Sequence, residues 1–253
     1  MIPKIIHFCW LSGEPYPKNI QKCIDSWKEK LPDYELVLWD KNKFDIKSVQ
    51  WVKEAYSVKK YAFAADYIRF YALYNYGGIY LDSDVEVVKS FDDLLDAKNF
   101  FCYEYTGLPE AAVVGSEKGQ EWCKVAVDYY QNRKFINDDG TYNQVIAPLI
   151  MKYAIETTEE LKLLDDCKNH KLENFNIYTY DYFSPKNGFT GKIQKTENTY
   201  AIHSFNSAWM KKSFKIKAKK AVHLFLISVL GKKNYNRLLY KIRPEFKNNS
   251  RLK

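Results

Sequence analysis

The sequence predicts an α/β protein built on a mostly parallel mixed sheet. Residues 4–10 and 34–39 are short runs rich in apolar residues, typical of buried strands, and residues 18–31 between them repeat apolar side chains at helical spacing. A strand, a helix and a second strand in this order indicate a β-α-β unit, whose strands lie parallel in one sheet. With 253 residues, the chain is long enough to bury a sizeable hydrophobic core.

A buried helix is expected at residues 61–76. Apolar residues occupy nearly every face of this segment, which is typical of a helix enclosed by other elements. Gly77 favours the end of the helix there, because glycine is the usual C-terminal cap. Further strands are expected at residues 100–103, 111–115, 177–180 and 200–204, further helices near residues 119–131 and 142–156, and a polar loop at residues 165–176.

The chain divides by charge into two parts. Residues 211–253 contain 14 Lys and Arg residues against Glu245 alone, whereas residues 1–210 contain 25 basic and 30 acidic residues. The net charge of +8 therefore averages a mildly acidic body and a strongly basic tail. We predict a globular domain at residues 1–210 and a basic amphipathic helical tail at residues 211–253.

Apolar residues recur at helical spacing between the basic residues of the tail, at Val222, Phe225, Val229 and onward. A basic amphipathic helix is typical of an element that lies on an anionic membrane surface. A terminal helix docked on the body by its apolar face is the alternative. Nucleic-acid binding is not expected, because the body is acidic and no recognition motif is present.

Several features bear on the cellular compartment. The first residues lack the basic, apolar and small-residue regions of a secretory signal, and the apolar run at residues 221–230 is shorter than the ~20 residues that span a bilayer. The five cysteines are widely separated, without a C-x-x-C pair, so neither a disulfide framework nor a zinc site is indicated. We therefore expect the protein to lie in the reducing cytosol.

Two carboxylates stand one residue apart, at Asp82 and Asp84, directly after a predicted short buried strand that follows Gly77 and Gly78. Hard cations such as Mg²⁺ and Mn²⁺ prefer oxygen ligands and retain open positions for substrate phosphates. The pattern therefore predicts a divalent metal site that serves a nucleotide diphosphate.

The predicted buried helix carries two charged residues, Asp66 and Arg69, three positions apart on one face. Buried charges are paired or bound to a ligand. An ion pair within the helix is one reading. In the other, Asp66 accepts sugar or ribose hydroxyls and Arg69 meets a phosphate or a sugar oxygen.

Aromatic and polar side chains are expected at two strand ends. Trp10 ends the first strand, where ligands of open α/β sheets bind, so its indole can stack on a nucleobase; a place in the core is the alternative. His203 ends a late strand, and Ser207 and Trp209 follow it. His203 can complete a metal shell with Asp84, or this segment can be a packed strand end.

The segments at residues 63–69 (FAADYIR) and 77–84 (GGIYLDSD) resemble the sugar-binding D-x-D region of glycosyltransferase family 32. That family includes fungal α-mannosyltransferases and bacterial capsule enzymes, and the large clostridial glucosylating toxins are similar to it. Residues 2–10 resemble the first strand of the family, and residues 203–209 resemble its closing H-x-x-x-x-S-W element, here with the serine two residues before the tryptophan. The resemblance covers residues 2–209.

The resemblance implies a GT-A fold, a Mn²⁺ or Mg²⁺ cofactor and transfer of a hexose with retention of anomeric configuration. Asp84 is the implied firm metal ligand, Asp82 bridges metal, ribose and sugar, and either His203 or Ser207 completes the metal shell. No residue stands out as a covalent nucleophile, which suits a front-face mechanism. The implied donor-binding residues are Trp10, Asp66, Arg69, Tyr80, Asp82, Ser207 and Trp209, with Asp66 and Arg69 joining Asp82 and Asp84 as catalytic residues.

We therefore expect transfer from a nucleotide sugar, with a UDP-hexose such as UDP-galactose or UDP-glucose preferred, to a saccharide acceptor. A lipid-linked acceptor of capsule or lipopolysaccharide synthesis fits a peripheral enzyme on the inner face of the cell membrane. The alternatives are a GDP-mannose-dependent mannosyltransferase, an inactive membrane-associated scaffold, and a phosphatase of the haloacid dehalogenase type. The phosphatase reading uses the D-x-D as its nucleophile motif, with Asp138 and Asp139 as the acidic pair.

Overall fold

The computed structural model describes residues 1–104, 107–158, 168–187 and 191–205, together with residues 222, 225–226, 228–231 and 234. The described residues up to residue 205 contain both helices and strands. The strands are β1 (Ile5–Cys9), β2 (Glu35–Trp39), β3 (Gly78–Leu81), β4 (Val85–Val87), β5 (Asn99–Cys102), β6 (Val113–Ser116), β7 (His170–Lys171), β8 (Asn176–Tyr178) and β9 (Ala201–His203).

Seven of these strands form one mixed sheet in the order β2-β1-β3-β6-β5-β8-β7. β1 lies parallel to both β2 and β3, and β5 lies parallel to β8, whereas β6 and β7 run opposite to their neighbours. Five of the seven strands thus point in one direction. The predicted α/β class with a mostly parallel mixed sheet is confirmed.

The helices are α1 (Lys18–Lys30), α2 (Gln50–Ser57), α3 (Tyr61–Tyr76), α4 (Glu121–Tyr129) and α5 (Ala147–Thr158), with a short 3₁₀ turn at Asp92–Leu94. The structure contains the predicted helices and strands, with ends shifted by a few residues. Three elements were not predicted. They are α2, β4 and β7, and β7 lies inside the polar segment that was expected to be a loop.

Alternating side chains of the strands pack on the two faces of the sheet. Tyr80 and Phe101 belong to a core cluster that includes residues of α2, α3, α4 and α5. Ile79 and Phe100, their neighbours in sequence, belong to a second cluster that includes residues of α1 and β4. Because successive side chains of a strand point to opposite faces, the sheet has α2–α5 on one face and α1 with β4 on the other.

The small sheet made by β4 and β9 lies beside the main one. The two strands are antiparallel, with Val85 opposite His203 and Val87 opposite Ala201. Val85, Val87 and Ala201 are buried in the core cluster that includes α1. This pairing brings the end of the described body next to the segment that carries the D-x-D.

Two sequence-based expectations concern cysteines and membrane crossing. Cys9, Cys23, Cys102 and Cys123 are buried free thiols, and the fifth cysteine, Cys167, lies outside the described residues. In the described part of the chain, none of the helices has the length and apolar content needed to cross a bilayer.

Candidate active site

The D-x-D lies in the turn that joins β3 to β4, at the carboxyl end of β3. The backbone N–H of Asp82 donates to the carbonyl of Ala112 at 2.9 Å, and the N–H of Val85 donates to the carbonyl of Asp82 at 3.0 Å. The backbone at Asp84 is fixed as well, because its carbonyl accepts a hydrogen bond from the N–H of Ser204 at 3.1 Å. These backbone hydrogen bonds fix the short turn that carries both carboxylates.

Two glycines let α3 lead directly into β3. Gly77 and Gly78 have φ angles of +68° and +103°, in the region that side chains disfavour. A Cβ on Gly78 would lie 2.7 Å from the carbonyl oxygen of Ile5, and one on Gly77 would lie 2.7 Å from the backbone nitrogen of Lys118. The two glycines therefore let the start of β3 lie close to β1 and to the residues that follow β6.

Arg69 of α3 connects the helix to the D-x-D. Its guanidinium donates from Nη2 to Asp66 Oδ1 at 3.2 Å and to Asp82 Oδ1 at 3.0 Å, and from Nη1 to the carbonyl of Ala111. The guanidinium carbon also lies 4.5 Å from the ring centroid of Tyr80, a cation–π distance. Only 5% of Arg69 and 1% of Tyr80 are exposed, so both are enclosed by protein in this arrangement.

The ion pair of Asp66 and Arg69, one of the two readings of the sequence, is therefore present, and Arg69 has a second carboxylate partner in Asp82. Asp66 is buried and Asp82 is half-buried, and one guanidinium supplies a single positive charge for the two carboxylates. Burial raises the pKa of Asp66 to about 7, although the charge of Arg69 acts in the opposite direction. Burial also raises the pKa of Asp82, again against the effect of Arg69.

His203 reaches the D-x-D through the pairing of β4 with β9. Its Nε2 lies 3.4 Å from Oδ1 of Asp84, and one ligand atom from each of Asp82, Asp84 and His203 lies within 4.8 Å of the others. The imidazole is flanked on its other side by the carboxylate of Glu110, whose Oε2 lies 3.2 Å from Nδ1. Burial disfavours the protonated ring, but Glu110 and Asp84 together raise the pKa of His203 well above its usual value.

Glu110 was not identified from the sequence. It is 2% exposed and accepts hydrogen bonds from the N–H of Ala112 at 2.9 Å and from the hydroxyl of Ser184, in addition to its contact with His203. Burial alone would raise the pKa of Glu110, but the charge of His203 and these hydrogen bonds lower it below its usual value. The signal in the sequence is a charged residue directly before the apolar run at residues 111–114.

The chemistry of this cluster fits a divalent cation. Four carboxylates, from Asp66, Asp82, Asp84 and Glu110, contact one guanidinium and one imidazole, which leaves an excess of negative charge. Two carboxylates and one imidazole supply the oxygen-rich ligand set that Mn²⁺ accepts, with positions left over for phosphate oxygens. Asp82, Asp84 and His203 are the residues that can hold such an ion.

The remaining predicted site residues are placed as follows. Trp10 follows β1 and is partly buried, with its indole N–H donating to the carbonyl of Glu14 at 2.6 Å and its ring edge-on to Tyr16 at 5.1 Å. Its stacking on a base stays a prediction. Ser207 and Trp209 lie outside the described residues.

Asp138 and Asp139, the acidic pair of the phosphatase reading, are exposed. Asp138 forms an ion pair with Lys134 at 2.8 Å, and Asp139 accepts hydrogen bonds from Thr141. Among the described residues, the only cluster suited to a metal ion consists of Asp82, Asp84 and His203.

Residues 17–101, from the start of α1 to β5, match the family model described as a glycosyltransferase sugar-binding region containing a DXD motif. The match covers about a third of the chain. The matched residues include Asp66, Arg69, Asp82 and Asp84. Trp10, Glu110 and His203 lie outside them.

Individual relatives carry glycosyltransferase names. Inositol phosphoceramide mannosyltransferase 3 of Schizosaccharomyces pombe is 40% identical over 101 residues, which are 37% of this chain and 27% of that protein. Mannosyl phosphorylinositol ceramide synthase CSH1 of Saccharomyces cerevisiae is 35% identical over 107 residues, 40% of this chain and 27% of that protein. The matched region thus spans about a quarter of each of these fungal relatives.

A viral relative matches over most of its length. Uncharacterized glycosyltransferase L373 of Acanthamoeba polyphaga mimivirus is 25% identical over 224 residues, 83% of this chain and 84% of that protein. A solved structure titled PaToxG Glycosyltransferase is similar with a TM-score of 0.46 and 21% identity, over 62% of this chain and 68% of that one.

Proposed function

We propose that this protein is a metal-dependent glycosyltransferase of the GT-A type, which transfers a hexose from a nucleotide sugar to a saccharide acceptor with retention of configuration. One observation carries the proposal. Asp82, Asp84 and His203 have one ligand atom each within 4.8 Å of the others, and Arg69 of α3 bonds both Asp66 and Asp82.

The residues of the site divide the work of such a reaction. Asp82, Asp84 and His203 would hold a Mn²⁺ or Mg²⁺ ion, which supplies positive charge to stabilise the diphosphate as it leaves. Asp66 is the residue suited to accept hydroxyls of the donor sugar, because it is a buried carboxylate beside the D-x-D. Arg69 fixes the carboxylates of Asp66 and Asp82 relative to each other, since it donates to both.

The nucleotide and the sugar are further parts of the proposal. A UDP-hexose is favoured by Trp10, which is placed at the end of β1 and can stack on a base. The name of the Schizosaccharomyces pombe relative is that of a mannosyltransferase, and the name of the Saccharomyces cerevisiae relative contains the word mannosyl. Both names favour mannose as the transferred sugar, which makes GDP-mannose the second candidate donor.

Donor hydrolysis tests the proposal, because a glycosyltransferase without its acceptor can release sugar to water. Purified protein is incubated with UDP-glucose, UDP-galactose and GDP-mannose, with Mn²⁺ and with a chelator. We expect Mn²⁺-dependent release of one sugar, reduced at least ~100-fold in Asp84→Asn because a metal ligand is lost.

Glu86→Gln is the matched control for this experiment. Glu86 lies on β4, two residues after Asp84, but its carboxylate pairs with Lys22 at 3.2 Å. It should hydrolyse the donor at the wild-type rate. No release from any donor, together with no binding of donors by calorimetry, would contradict the transferase proposal and favour the scaffold reading.

A membrane-surface location is a separate part of the proposal, with a lipid-linked acceptor of capsule or lipopolysaccharide synthesis on the inner face of the cell membrane. Val222, Phe225 and Val229 are helical residues spaced by three and four positions, and they are 57%, 66% and 63% exposed. They lie in the basic part of the sequence, residues 211–253. An exposed apolar face among basic residues supports binding to anionic lipid.

Sedimentation with vesicles tests this location. The full chain should bind vesicles that contain phosphatidylglycerol, release them in high salt and ignore vesicles of phosphatidylcholine alone. Phe225→Ser should weaken binding to the anionic vesicles. Equal binding to both kinds of vesicle, or none to either, would contradict the membrane-surface role without bearing on donor hydrolysis.

A further inference from the structure

We infer that Glu110 is the positioning residue of the metal site: it holds the imidazole of His203 with Nδ1 protonated, so that Nε2 is the nitrogen that faces Asp82 and Asp84. This inference rests on the proposed function, because it assigns a role toward the same metal ion.

The contacts of Glu110 fix the direction of each hydrogen bond. Oε1 accepts from the backbone N–H of Ala112 at 2.9 Å, and Oε2 accepts from the hydroxyl of Ser184. A carboxylate that receives these hydrogen bonds is favoured in its ionised form, which is an acceptor only. The contact of 3.2 Å between Oε2 and His203 Nδ1 therefore requires the proton to be on Nδ1.

The other nitrogen of the ring is then left for the metal. Nε2 of His203 lies 3.4 Å from Oδ1 of Asp84, on the side of the ring opposite to Glu110. With Nδ1 protonated, a neutral His203 has its lone pair on Nε2. Histidines that bind metals commonly donate their other N–H to a carboxylate or carbonyl, and this partner fixes the tautomer and strengthens the ligand.

The position of Glu110 in the chain supports a role in the site beyond that of a buried counter-ion. Glu110, Ala111 and Ala112 are consecutive, and each contacts a different part of the site. Ala111 accepts a hydrogen bond from Arg69, and Ala112 accepts one from the backbone of Asp82. The segment before β6 thus holds α3, the D-x-D and His203 in one arrangement, and Glu110 is its contact to His203.

The contact with Glu110 also bears on which residue completes the metal shell. The sequence allowed His203 or Ser207. Because His203 has a buried partner that orients it, we infer that His203 completes the metal shell. The affinity for metal should then depend on Glu110 as well as on His203.

Metal affinity without any nucleotide sugar is the first readout. Electron paramagnetic resonance measures the concentration of free Mn²⁺ during titration of the full chain. The titration is made with the wild type, Glu110→Gln, Glu110→Leu and the control Glu86→Gln. We expect Kd for Mn²⁺ to rise between ~10-fold and ~100-fold in Glu110→Leu, to a smaller extent in Glu110→Gln, which keeps an acceptor, and not in the control.

The second readout is which ring nitrogen of His203 carries the proton. It is measured on the wild-type protein and so does not depend on whether a Glu110 variant folds. The protein has four histidines, and ¹⁵N–¹H correlation of their side chains with diamagnetic Zn²⁺ bound, assigned with His203→Gln, reports which nitrogen carries the proton. We expect a proton on Nδ1 and Zn²⁺ on Nε2 in the wild type. Zn²⁺ on Nδ1 would overturn the inference.

The two readouts separate failure of this inference from failure of the proposed function. If Glu110 were purely structural, its replacement would lower the unfolding temperature and leave the Mn²⁺ affinity of the folded protein unchanged. That result in both Glu110 variants would overturn the positioning role alone. A wild-type protein that binds no Mn²⁺ would contradict the proposed metal site itself, and the inference with it.

Discussion

Replacement of Asp66 by asparagine tests how the site holds its excess of negative charge. Asp66 is 9% exposed, and it pairs with the same guanidinium nitrogen of Arg69 that also binds Asp82. Burial raises the pKa of Asp66 to about 7 in the folded protein, from 3.8 for an ordinary aspartate. An asparagine at this position would keep the shape and an acceptor oxygen of the side chain but would carry no charge.

The sign of the effect follows from linkage. A carboxyl group with a raised pKa binds its proton more tightly in the folded state, so its contribution to stability is complete below about pH 4 and is lost as the pH rises to about 7. A difference of about three pKa units corresponds to an upper limit of roughly 4 kcal/mol, at about 1.4 kcal/mol per unit. Asp66→Asn should therefore be more stable than the wild type at pH 8, by up to that amount, and within about 1 kcal/mol of it at pH 4.5.

Urea unfolding followed by tryptophan fluorescence at pH 4.5 and pH 8, with a chelator present, measures this difference. Other groups that titrate in this range, such as His203, affect both proteins, so the difference between the two reports on Asp66 together with Asp82, whose charge acts on it. A variant less stable than the wild type at pH 8, or a difference independent of pH, would refute the reasoning. The stabilised variant should also lose donor hydrolysis, because removal of an unfavourable buried charge from an active site commonly raises stability at the expense of activity.

Two further predictions concern the backbone support of the site. His7 donates from Nε2 to the carbonyl of Gly77 at 2.8 Å and accepts from the indole of Trp39 at 3.1 Å, and burial lowers its pKa to about 4. His7→Leu should lower the free energy of unfolding by about 2–5 kcal/mol, because both partners are left unsatisfied, while the Mn²⁺ affinity of the folded protein stays unchanged; a loss of affinity without a loss of stability would contradict this structural role. Gly78→Ala should prevent folding or lower the free energy of unfolding by more than about 2 kcal/mol. The reason is that φ is +103° and the new Cβ would lie 2.7 Å from the carbonyl oxygen of Ile5. Circular dichroism during thermal unfolding measures the effect, and a wild-type melting temperature would contradict it.

The body of the fold could be predicted because its signals are local. Short segments rich in apolar residues predicted β1 and β2, and the apolar surface all around residues 61–76 predicted α3. β4 has only three residues and follows the D-x-D without a break, so its period is too short to be recognised. Its partner β9 is more than 100 residues away in the chain, and this distant pairing is what brings His203 to Asp84.

The site could be predicted only where its residues form a pattern in the sequence. Asp82 and Asp84 form such a pattern, and the spacing of Asp66 and Arg69 on one helix face allowed, as one of two readings, the ion pair that the structure shows. The link from Arg69 to Asp82 could not be predicted in detail, because it depends on how α3 lies against β3. Glu110 could not be assigned, because its role depends on burial and on contacts with distant parts of the chain.

Binding of UDP and GDP to the full chain by calorimetry, with Mn²⁺ and with a chelator, is the measurement that tests the central claim most directly. We predict that one nucleotide binds, that binding needs Mn²⁺, and that Asp84→Asn abolishes it while Glu86→Gln does not. Binding of equal strength with the chelator, or in Asp84→Asn, would contradict the claim that this D-x-D joins a metal ion to the diphosphate of the donor.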